Sequence, residues 1–196
     1  MKPFRKLIKT PTLWIAPIVN EKVKALIQTC PKEVGWHGLV ERIDDSTFVW
    51  YDVLLYPQYV TGASVNPDAD EYAKWMNAQY DYDNGKSFKN LRLHGHSHVN
   101  MAVSPSGIDL QFREDILTNL QDNDFYIFTM RNKKGDMEWK LFDTTTDFIF
   151  DESELLIKIG TPEQSKKILD WVTKVIKNNV KEYKYSCSTT SKAKNY

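Results

Sequence analysis

The sequence predicts an α/β fold in which helices sandwich a mixed β-sheet. Strand-like and helix-like segments alternate through the first two-thirds of the chain, and strand-like segments dominate afterwards. Of the 196 residues, 41% are hydrophobic and 27% are charged, which is typical of a globular domain. Since neither a repeat nor a linker divides the sequence, we predict a single domain over residues 1–185 and a disordered tail over 186–196.

The N-terminal part is predicted to contain a strand, a short helix and two further strands. The apolar run Thr12–Val19 predicts the first strand, and Asn20 is the expected cap of a helix that Pro31 ends. An extended segment then begins at Glu33, and Ser46–Pro57 predicts a third strand. Two adjacent aspartates between these segments indicate a turn.

The middle of the chain is predicted to contain two helices with a strand between them. A helix begins after the turn signal Asn66–Asp68, and Asp81–Lys86 is a polar loop. The segment Leu91–His98 predicts a strand, and a second helix is expected from about Gly107 to Gln121. Its leucines are expected to face the core: Leu110, Leu117 and Leu120.

The C-terminal part is predicted to contain a hairpin, two short strands and a final helix. Phe125–Arg131 and Met137–Phe142 flank a polar turn, and short strands are expected near Phe148 and over Leu155–Ile159. The helix start is predicted at Thr161–Gln164, where a threonine cap precedes a proline. The following apolar stripe predicts core packing: Ile168, Val172, Val175, Ile176, Val180 and Tyr183.

The bulk composition constrains the partners and the cellular location. The formal net charge is zero, so we expect neither a nucleic-acid nor a membrane partner. Cys30 and Cys187 are far apart in the sequence, which predicts reduced thiols, and two cysteines are too few for a zinc site built from cysteines. With no signal-like or membrane-spanning run in the sequence, a cytoplasmic protein is expected, while the oligomeric state stays open.

The histidines are clustered at the end of one predicted strand. Of four histidines in the chain, three lie within five residues, at His94, His96 and His98. Side chains two residues apart on a strand point to the same face, so two of these imidazoles are able to converge on one metal ion. A catalytic zinc site then needs a third protein ligand and one open position for water.

The third ligand is predicted by the spacing downstream. From His96 the sequence reads His-x-His, seven residues, Ser106, two residues and Asp109. This pattern resembles the signature of the JAB/MPN/JAMM metallopeptidase family. A register that begins at His94 fails, because it places a glycine where the aspartate belongs. The chain departs from the family at Val99, where proline is frequent, and it lacks the tryptophan-rich lead-in; the resemblance covers roughly residues 12–130.

The resemblance implies a fold and a set of roles. The fold is a three-layer α-β-α-like sandwich around a mixed, curved sheet, with C-terminal strands and a helix beyond the matched region. One Zn²⁺ per chain is expected at His96, His98 and Asp109, with water as the fourth ligand. Glu33 is the expected general base, ahead of Glu41, because Glu33-Val34-Gly35 is similar to the family's Glu-x-Gly. Ser106 is the expected donor to the oxyanion.

The implied activity is hydrolysis of a peptide or isopeptide bond by activated water. The expected partner is a protein or peptide substrate, such as the C-terminal tail of a ubiquitin-like or sulfur-carrier protein. The long acidic segment Tyr59–Asn90 is a candidate for recognising this substrate.

Other interpretations remain open at this stage. A non-catalytic MPN-type scaffold is one alternative. A metallophosphoesterase is another, since Gly95–His98 resembles that family's Gly-His-x-His motif, although His37 is the sole upstream histidine. Ser106 and Asp109 also fit a simple helix cap. His94 is expected to be a partly exposed neighbour of the site, with support of a ligand as the alternative, and His37 is expected to be unrelated to zinc.

Overall fold

The computed structural model describes residues 9–159 and 165–182, with side chains from 171 onward in the second range. These residues form eleven strands and four α-helices. The strands are β1 (Thr12–Ile15), β2 (Gly35–Asp44), β3 (Thr47–Leu54), β4 (Gln58–Val60), β5 (Val65–Pro67), β6 (Leu91–Ser97), β7 (Phe125–Arg131), β8 (Met137–Asp143), β9 (Phe148–Asp151), β10 (Leu156–Ile159) and β11 (Val180–Glu182). The helices are α1 (Pro17–Thr29), α2 (Ala69–Asp83), α3 (Gly107–Thr118) and α4 (Ser165–Asn179).

The strands form one large mixed sheet and one small sheet. The large sheet has the order β10-β1-β3-β2-β6-β7-β8-β9, and the small sheet has the order β11-β4-β5. Strand β6 pairs antiparallel with β2 and parallel with β7, so it lies in the middle of the large sheet. The predicted α/β class with a mixed sheet is confirmed at this level.

Helices lie on both faces of the large sheet. On one face α1 and α4 pack over the main hydrophobic core, to which α4 contributes Val172. On the other face Trp75 of α2 stacks on His37, and Phe112 of α3 packs against His94. The largest fully buried side chains, Trp36 and Trp50, fix β2 beside β3. Among the described residues, no helix is long and apolar enough to cross a membrane.

The start of the chain differs from the prediction. The first strand ends at Ile15 and the helix begins at Pro17, two residues after it. Proline is favoured at the first helical position, since its ring fixes φ and no N–H is needed there. Asn20 is therefore buried inside α1 and does not cap it, and the prediction of an Asn20 cap is wrong.

Two other element boundaries were also predicted incorrectly. The predicted strand Ser46–Pro57 forms as β3, but β3 ends at Leu54, three residues before the predicted end, and the chain then enters the small sheet at β4. The polar segment Asp81–Lys86 begins inside α2, which runs to Asp83 and ends at Asn84 with a φ of 54°. Short polar side chains at the end of a helix resemble a loop in sequence, so propensity alone misplaces this end.

The C-terminal predictions are largely confirmed where the structure describes them. The β7–β8 hairpin and the strands β9 and β10 form as predicted. In α3, Leu110 is 49% exposed, so its predicted inward position is wrong, and Arg113 is buried instead. The predicted helix start at Thr161–Gln164, the side chains of Ile168 and Tyr183, and the tail 186–196 lie outside the described residues.

Gly95 has a packing role in β6 that a substitution is expected to reveal. A Cβ at this position would lie 2.5 Å from the indole of Trp36, which is fully buried. Gly95→Ala is therefore expected to lower the free energy of unfolding by about 1–3 kcal/mol, as overpacked core positions do. Denaturant unfolding measures this change. Gly62→Ala is the control, because nothing lies within 4 Å of its Cβ position; equal effects of the two variants would refute the packing role.

Candidate metal centre

Strand β6 brings two of the clustered histidines to the centre of the sheet. His94 and His96 lie two residues apart on β6, and His96 is paired with Gly35 of β2 and Met130 of β7. His98 follows the end of the strand, where its backbone N–H donates to the Arg131 carbonyl at 2.9 Å. Both neighbouring strands thus fix the backbone that carries His96 and His98.

The start of α3 supplies the carboxylate. Ser106 is the N-cap, and both its backbone N–H and its hydroxyl donate to Asp109 Oδ2 at 2.7 Å. The Asp109 N–H donates back to Ser106 Oγ at 3.3 Å, which completes a capping box. The helix-cap interpretation of these two residues is therefore confirmed. The cap also orients the carboxylate, since it fixes Oδ2 and leaves Oδ1 directed at His96, 3.3 Å from Nε2.

Three side chains form a group able to bind a metal ion. The Nε2 atoms of His96 and His98 are 3.0 Å apart, and His98 Nε2 lies 4.0 Å from Asp109 Oδ2. The ligand atoms of all three residues lie within 4.8 Å of one another. Tetrahedral zinc with bonds of about 2.0–2.1 Å places its ligand atoms roughly 3.3 Å apart. The distances from His96 are close to this value, whereas the Asp109 carboxylate lies 4.0 Å or more from His98 Nε2, so a bound ion would draw the carboxylate closer to His98.

The orientation of the His98 ring suits a metal ligand. Its Nδ1 lies 2.7 Å from the carbonyl oxygen of Ala102. A carbonyl only accepts hydrogen bonds, so Nδ1 carries the proton, and in the neutral ring Nε2 then has its lone pair free. This is the carbonyl–histidine arrangement that fixes the tautomer of metal-binding histidines.

The electrostatics also favour a cation. Burial lowers the pKa of His96 to about 4, although the charge of Asp109 acts in the opposite direction. Burial raises the pKa of Asp109, but its hydrogen bonds from Ser106 and the neighbouring histidines outweigh this effect and hold the pKa below its usual value. At neutral pH a neutral imidazole at His96 therefore faces an ionised carboxylate, as metal binding requires.

Glu33 lies beside this group. It is buried, with its backbone N–H donating to the Thr61 carbonyl at 3.0 Å. The next residue, Val34, is tied to Ser97 at the end of β6 by two hydrogen bonds of 3.0 and 2.9 Å. Burial raises the pKa of Glu33 to about 7, and the charge of Asp109 adds to this increase. The competing candidate, Glu41, is exposed on β2, so Glu33 is the glutamate that the fold brings to the centre.

Val99 has a backbone conformation that proline is unable to adopt. Val99 has a φ of 41°, in the left-handed region that a β-branched residue rarely adopts. Such a conformation costs about 1–3 kcal/mol and is found where the surroundings enforce it. Here the Lys133 N–H donates to the Val99 carbonyl at 2.7 Å. Because its ring fixes φ near −65°, proline is incompatible with this turn.

The remaining histidines lie next to the ligands without joining the group. His94 is half-buried, with Nε2 3.3 Å from the Tyr56 hydroxyl and its ring 4.6 Å from that of Phe112. His37 is buried, and its Nε2 lies 2.9 Å from the Tyr72 hydroxyl. The expectation that His37 does not bind the metal agrees with this position.

Several residues at the metal centre were not predicted from the sequence. Phe112 and Arg113 of α3 line a narrow groove beside His96 and Asp109. Arg113 follows Asp109 by four residues, so helical spacing alone indicated that both lie on one face of α3. Gln58 is buried in β4, where its side chain accepts from the Gly35 N–H at 2.8 Å and donates to the Gly35 carbonyl at 2.9 Å. No local sequence pattern predicts this clamp, because the partners are 23 residues apart.

Removal of one partner of the buried ion pair between Arg113 and Glu138 is expected to cause a large loss of stability. The guanidinium donates to both carboxylate oxygens of Glu138, at 3.1 and 2.8 Å, and both side chains are largely buried. Glu138→Ala leaves an unpaired buried cation and is expected to cost about 3–5 kcal/mol in unfolding free energy. The double variant Arg113→Met with Glu138→Leu is the control, and it should be closer to wild type. Equal losses in both would show that lost packing, not the unpaired charge, dominates.

The stability of the folded protein is expected to depend on pH because His37 is buried. Burial lowers its pKa from 6.5 to about 4 in the folded protein. Between these values the unfolded chain binds more protons, so stability is fully present above pH 6.5 and falls as the pH drops towards 4. The loss is about 3 kcal/mol for a shift of this size. Denaturant unfolding of metal-free protein across this range should show a steeper decline for wild type than for His37→Phe; identical slopes would contradict the assignment.

The comparisons with known proteins do not assign the chain to a family. No protein-family model matches the sequence, and no curated protein matches it significantly.

Proposed function

We propose that the protein is a JAB/MPN/JAMM-type zinc metallopeptidase that hydrolyses a peptide or isopeptide bond. The observation that carries the proposal is the convergence of His96, His98 and Asp109, whose ligand atoms lie within 4.8 Å of one another, next to the buried Glu33. Helices on both faces of a mixed sheet are compatible with an MPN-like fold.

The donor set favours zinc among the metals that proteins use. Two imidazole nitrogens and one carboxylate oxygen are typical ligands of catalytic zinc, and three protein ligands leave one position open. Zinc at this position would act as a Lewis acid and would lower the pKa of a coordinated water to about 7. The rest of the chemistry depends on the residues of the chain.

Glu33 is the proposed proton carrier. A general base works best when its pKa is near the operating pH, and burial gives Glu33 a pKa of about 7. It accepts a proton from the attacking water and returns it to the leaving amine. The hydrogen bond from its N–H to Thr61 holds the backbone in place while the carboxylate exchanges the proton.

Ser106 has two proposed roles that compete for one hydroxyl. In the structure its Oγ donates to Asp109 Oδ2. To donate to the oxyanion instead, the hydroxyl must rotate towards the substrate, and the Ser106 N–H then holds the Asp109 carboxylate alone, at 2.7 Å. The oxyanion role is therefore compatible with a fixed metal ligand.

The proposed substrate is a protein or peptide tail, such as that of a ubiquitin-like or sulfur-carrier protein. The segment 59–90 contributes part of the small sheet and the acidic helix α2, whose Tyr72 hydroxyl lies 2.9 Å from His37 Nε2, and the His37 ring contacts that of His94. Over the described residues, strand β5 is one edge of the small sheet and β11 is the other. An extended tail is able to pair with such an edge and reach the metal.

Metal analysis of the purified protein tests the proposal. About one zinc per chain is expected, with cleavage of carrier-protein fusions after their C-terminal Gly-Gly as the activity assay. A two-metal phosphoesterase centre needs a second set of ligands. Among the described residues, His96, His98 and Asp109 form the only group able to hold a metal ion. Two metals per chain would therefore favour a phosphoesterase, and no metal after zinc-supplemented expression would favour a scaffold.

A further inference from the structure

The turn between β7 and β8 lies against the loop that follows His98. We propose that Asn132, which begins this turn, is a positioning residue: its side chain holds the loop in the conformation that orients the His98 ring, and the metal affinity depends on this contact. The inference rests on the metal site of the proposed function. Asn132 is 4% exposed, and its contact in the loop, Met101, is 31 residues away in the sequence.

Asn132 is itself held in one orientation by the turn. Its backbone N–H donates to the Asp136 carbonyl at 3.1 Å, and its Oδ1 accepts from the N–H groups of Lys134 and Asp136 at 3.0 and 2.9 Å. Two N–H donors on one side of the amide fix that atom as the oxygen, because an NH₂ group accepts no hydrogen bond. The Nδ2 group therefore faces the other way, where it donates one hydrogen to Asp136 Oδ2 at 2.8 Å.

The turn is also anchored on helix α1. Gln28 Nε2 donates to the Lys133 carbonyl at 3.0 Å, and Lys133 Nζ donates to the Gln28 carbonyl at 3.3 Å. A positioning residue is effective only if its own support is fixed, and these reciprocal bonds tie the turn to a helix that packs over the main core.

The second hydrogen of the Asn132 amide reaches the loop. Nδ2 donates to the Met101 carbonyl at 2.9 Å. The Met101 N–H donates to the His98 carbonyl at 2.7 Å, and the next residue, Ala102, accepts from His98 Nδ1 at 2.7 Å. Asn132 thus holds the peptide group between Met101 and Ala102, and the position of this group sets where the Ala102 carbonyl meets the His98 ring.

The loop needs an external support because its own backbone is strained. Val99 has a left-handed φ of 41°, which persists only where the surroundings enforce it. Over the described residues, Asn132 and His98 itself are the only residues outside the loop 99–105 whose side chains hydrogen-bond to it. The backbone bonds from the turn hold the start of the loop, at His98 and Val99, so the side chain of Asn132 is what holds its middle.

An exchange of two side chains of the turn tests the inference. In the double variant Asn132→Asp with Asp136→Asn, the new carboxylate still accepts from the N–H groups of the turn, and the new amide is able to donate to that carboxylate. The composition and the net charge are unchanged, and the donor to the Met101 carbonyl is lost. The zinc affinity, measured by competition with a chromophoric chelator, is expected to fall about 10–100-fold, as for other groups that orient a metal-binding histidine.

Two further variants complete the test. Asp136→Asn alone is the matched control and should bind zinc like the wild type, because Asn132 stays in place. Asn132→Ser is too short to reach Met101 but is able to close the turn through its hydroxyl, so it should lose zinc affinity as the double variant does. Histidine-selective nitrogen NMR of metal-free protein should show His98 as the Nδ1–H tautomer in the wild type and as a mixture of tautomers in the variants that lack Asn132.

The outcomes separate the inference from the proposed function. Wild-type zinc affinity in the double variant and in Asn132→Ser would overturn the inference and leave the metal site intact. An equal loss of affinity in Asp136→Asn would also overturn it, because the turn as a whole, and not the side chain of Asn132, would then act on His98. A wild-type protein that binds no zinc would instead overturn the metal site itself.

Discussion

Glu33→Gln is expected to reduce hydrolysis by about 10²–10⁴-fold while the zinc content stays at the wild-type level. Glutamine has the shape of glutamate but is unable to accept the proton from water. Glu33 is not among the grouped ligand residues, so its loss leaves the metal site complete. The measurement is the rate of cleavage of a carrier-protein fusion, with metal analysis of the same samples.

The matched control is Glu41→Gln. Glu41 is exposed on β2, so its replacement is expected to leave both hydrolysis and zinc content unchanged. Since burial disfavours the charged form of Glu33, the uncharged glutamine should not lower the melting temperature. Full activity of Glu33→Gln would refute the proposed mechanism, and loss of activity in Glu41→Gln would move the base to that residue.

The parts of the fold that were predictable from sequence are those with a strong local pattern. The β7–β8 hairpin has apolar strands on both sides of a glycine-containing turn, and both strands form where predicted. Pro17 lies in an apolar run that is typical of a strand, but proline is also a frequent first residue of a helix, and here it begins α1. The end of β3 at Leu54 was not predictable, since Leu55 and Tyr56 have a strand propensity similar to that of the residues before them, and the predicted strand therefore extends to Pro57.

The metal ligands were predictable because they lie within 14 residues in a fixed spacing, two on a strand end and one on the first turn of a helix. The residues that support them were not predictable in this way. Tyr56 meets His94 and Gln58 meets Gly35 across separations of 38 and 23 residues, which only the sheet register creates. Glu33 was found through the resemblance, and its burial is a property of the tertiary packing.

Asp109→Asn and Asp109→Ala separate the metal-binding role of this residue from its role as a cap. The Asp109 carboxylate is the single anionic member of the ligand group, so both variants are expected to weaken zinc binding by more than about a hundredfold. Asparagine is still able to accept the hydrogen bonds from Ser106, whereas alanine is not. Only Asp109→Ala should therefore lose about 1 kcal/mol of metal-free stability as well.

Titration with zinc measures the zinc affinity of each variant, and denaturant unfolding of the metal-free variants measures their stability. Asp115→Ala on the same helix is the control, since its carboxylate is exposed and contacts only Gln111 among the side chains of the described residues. Zinc affinity at the wild-type level in Asp109→Asn would mean that Asp109 only caps α3. The two imidazoles, whose Nε2 atoms lie 3.0 Å apart, would then need a different third ligand, and the resemblance at Asp109 would be coincidental. Loss of zinc binding in Asp109→Asn with unchanged stability would separate the two roles, because the cap alone would then have survived the substitution.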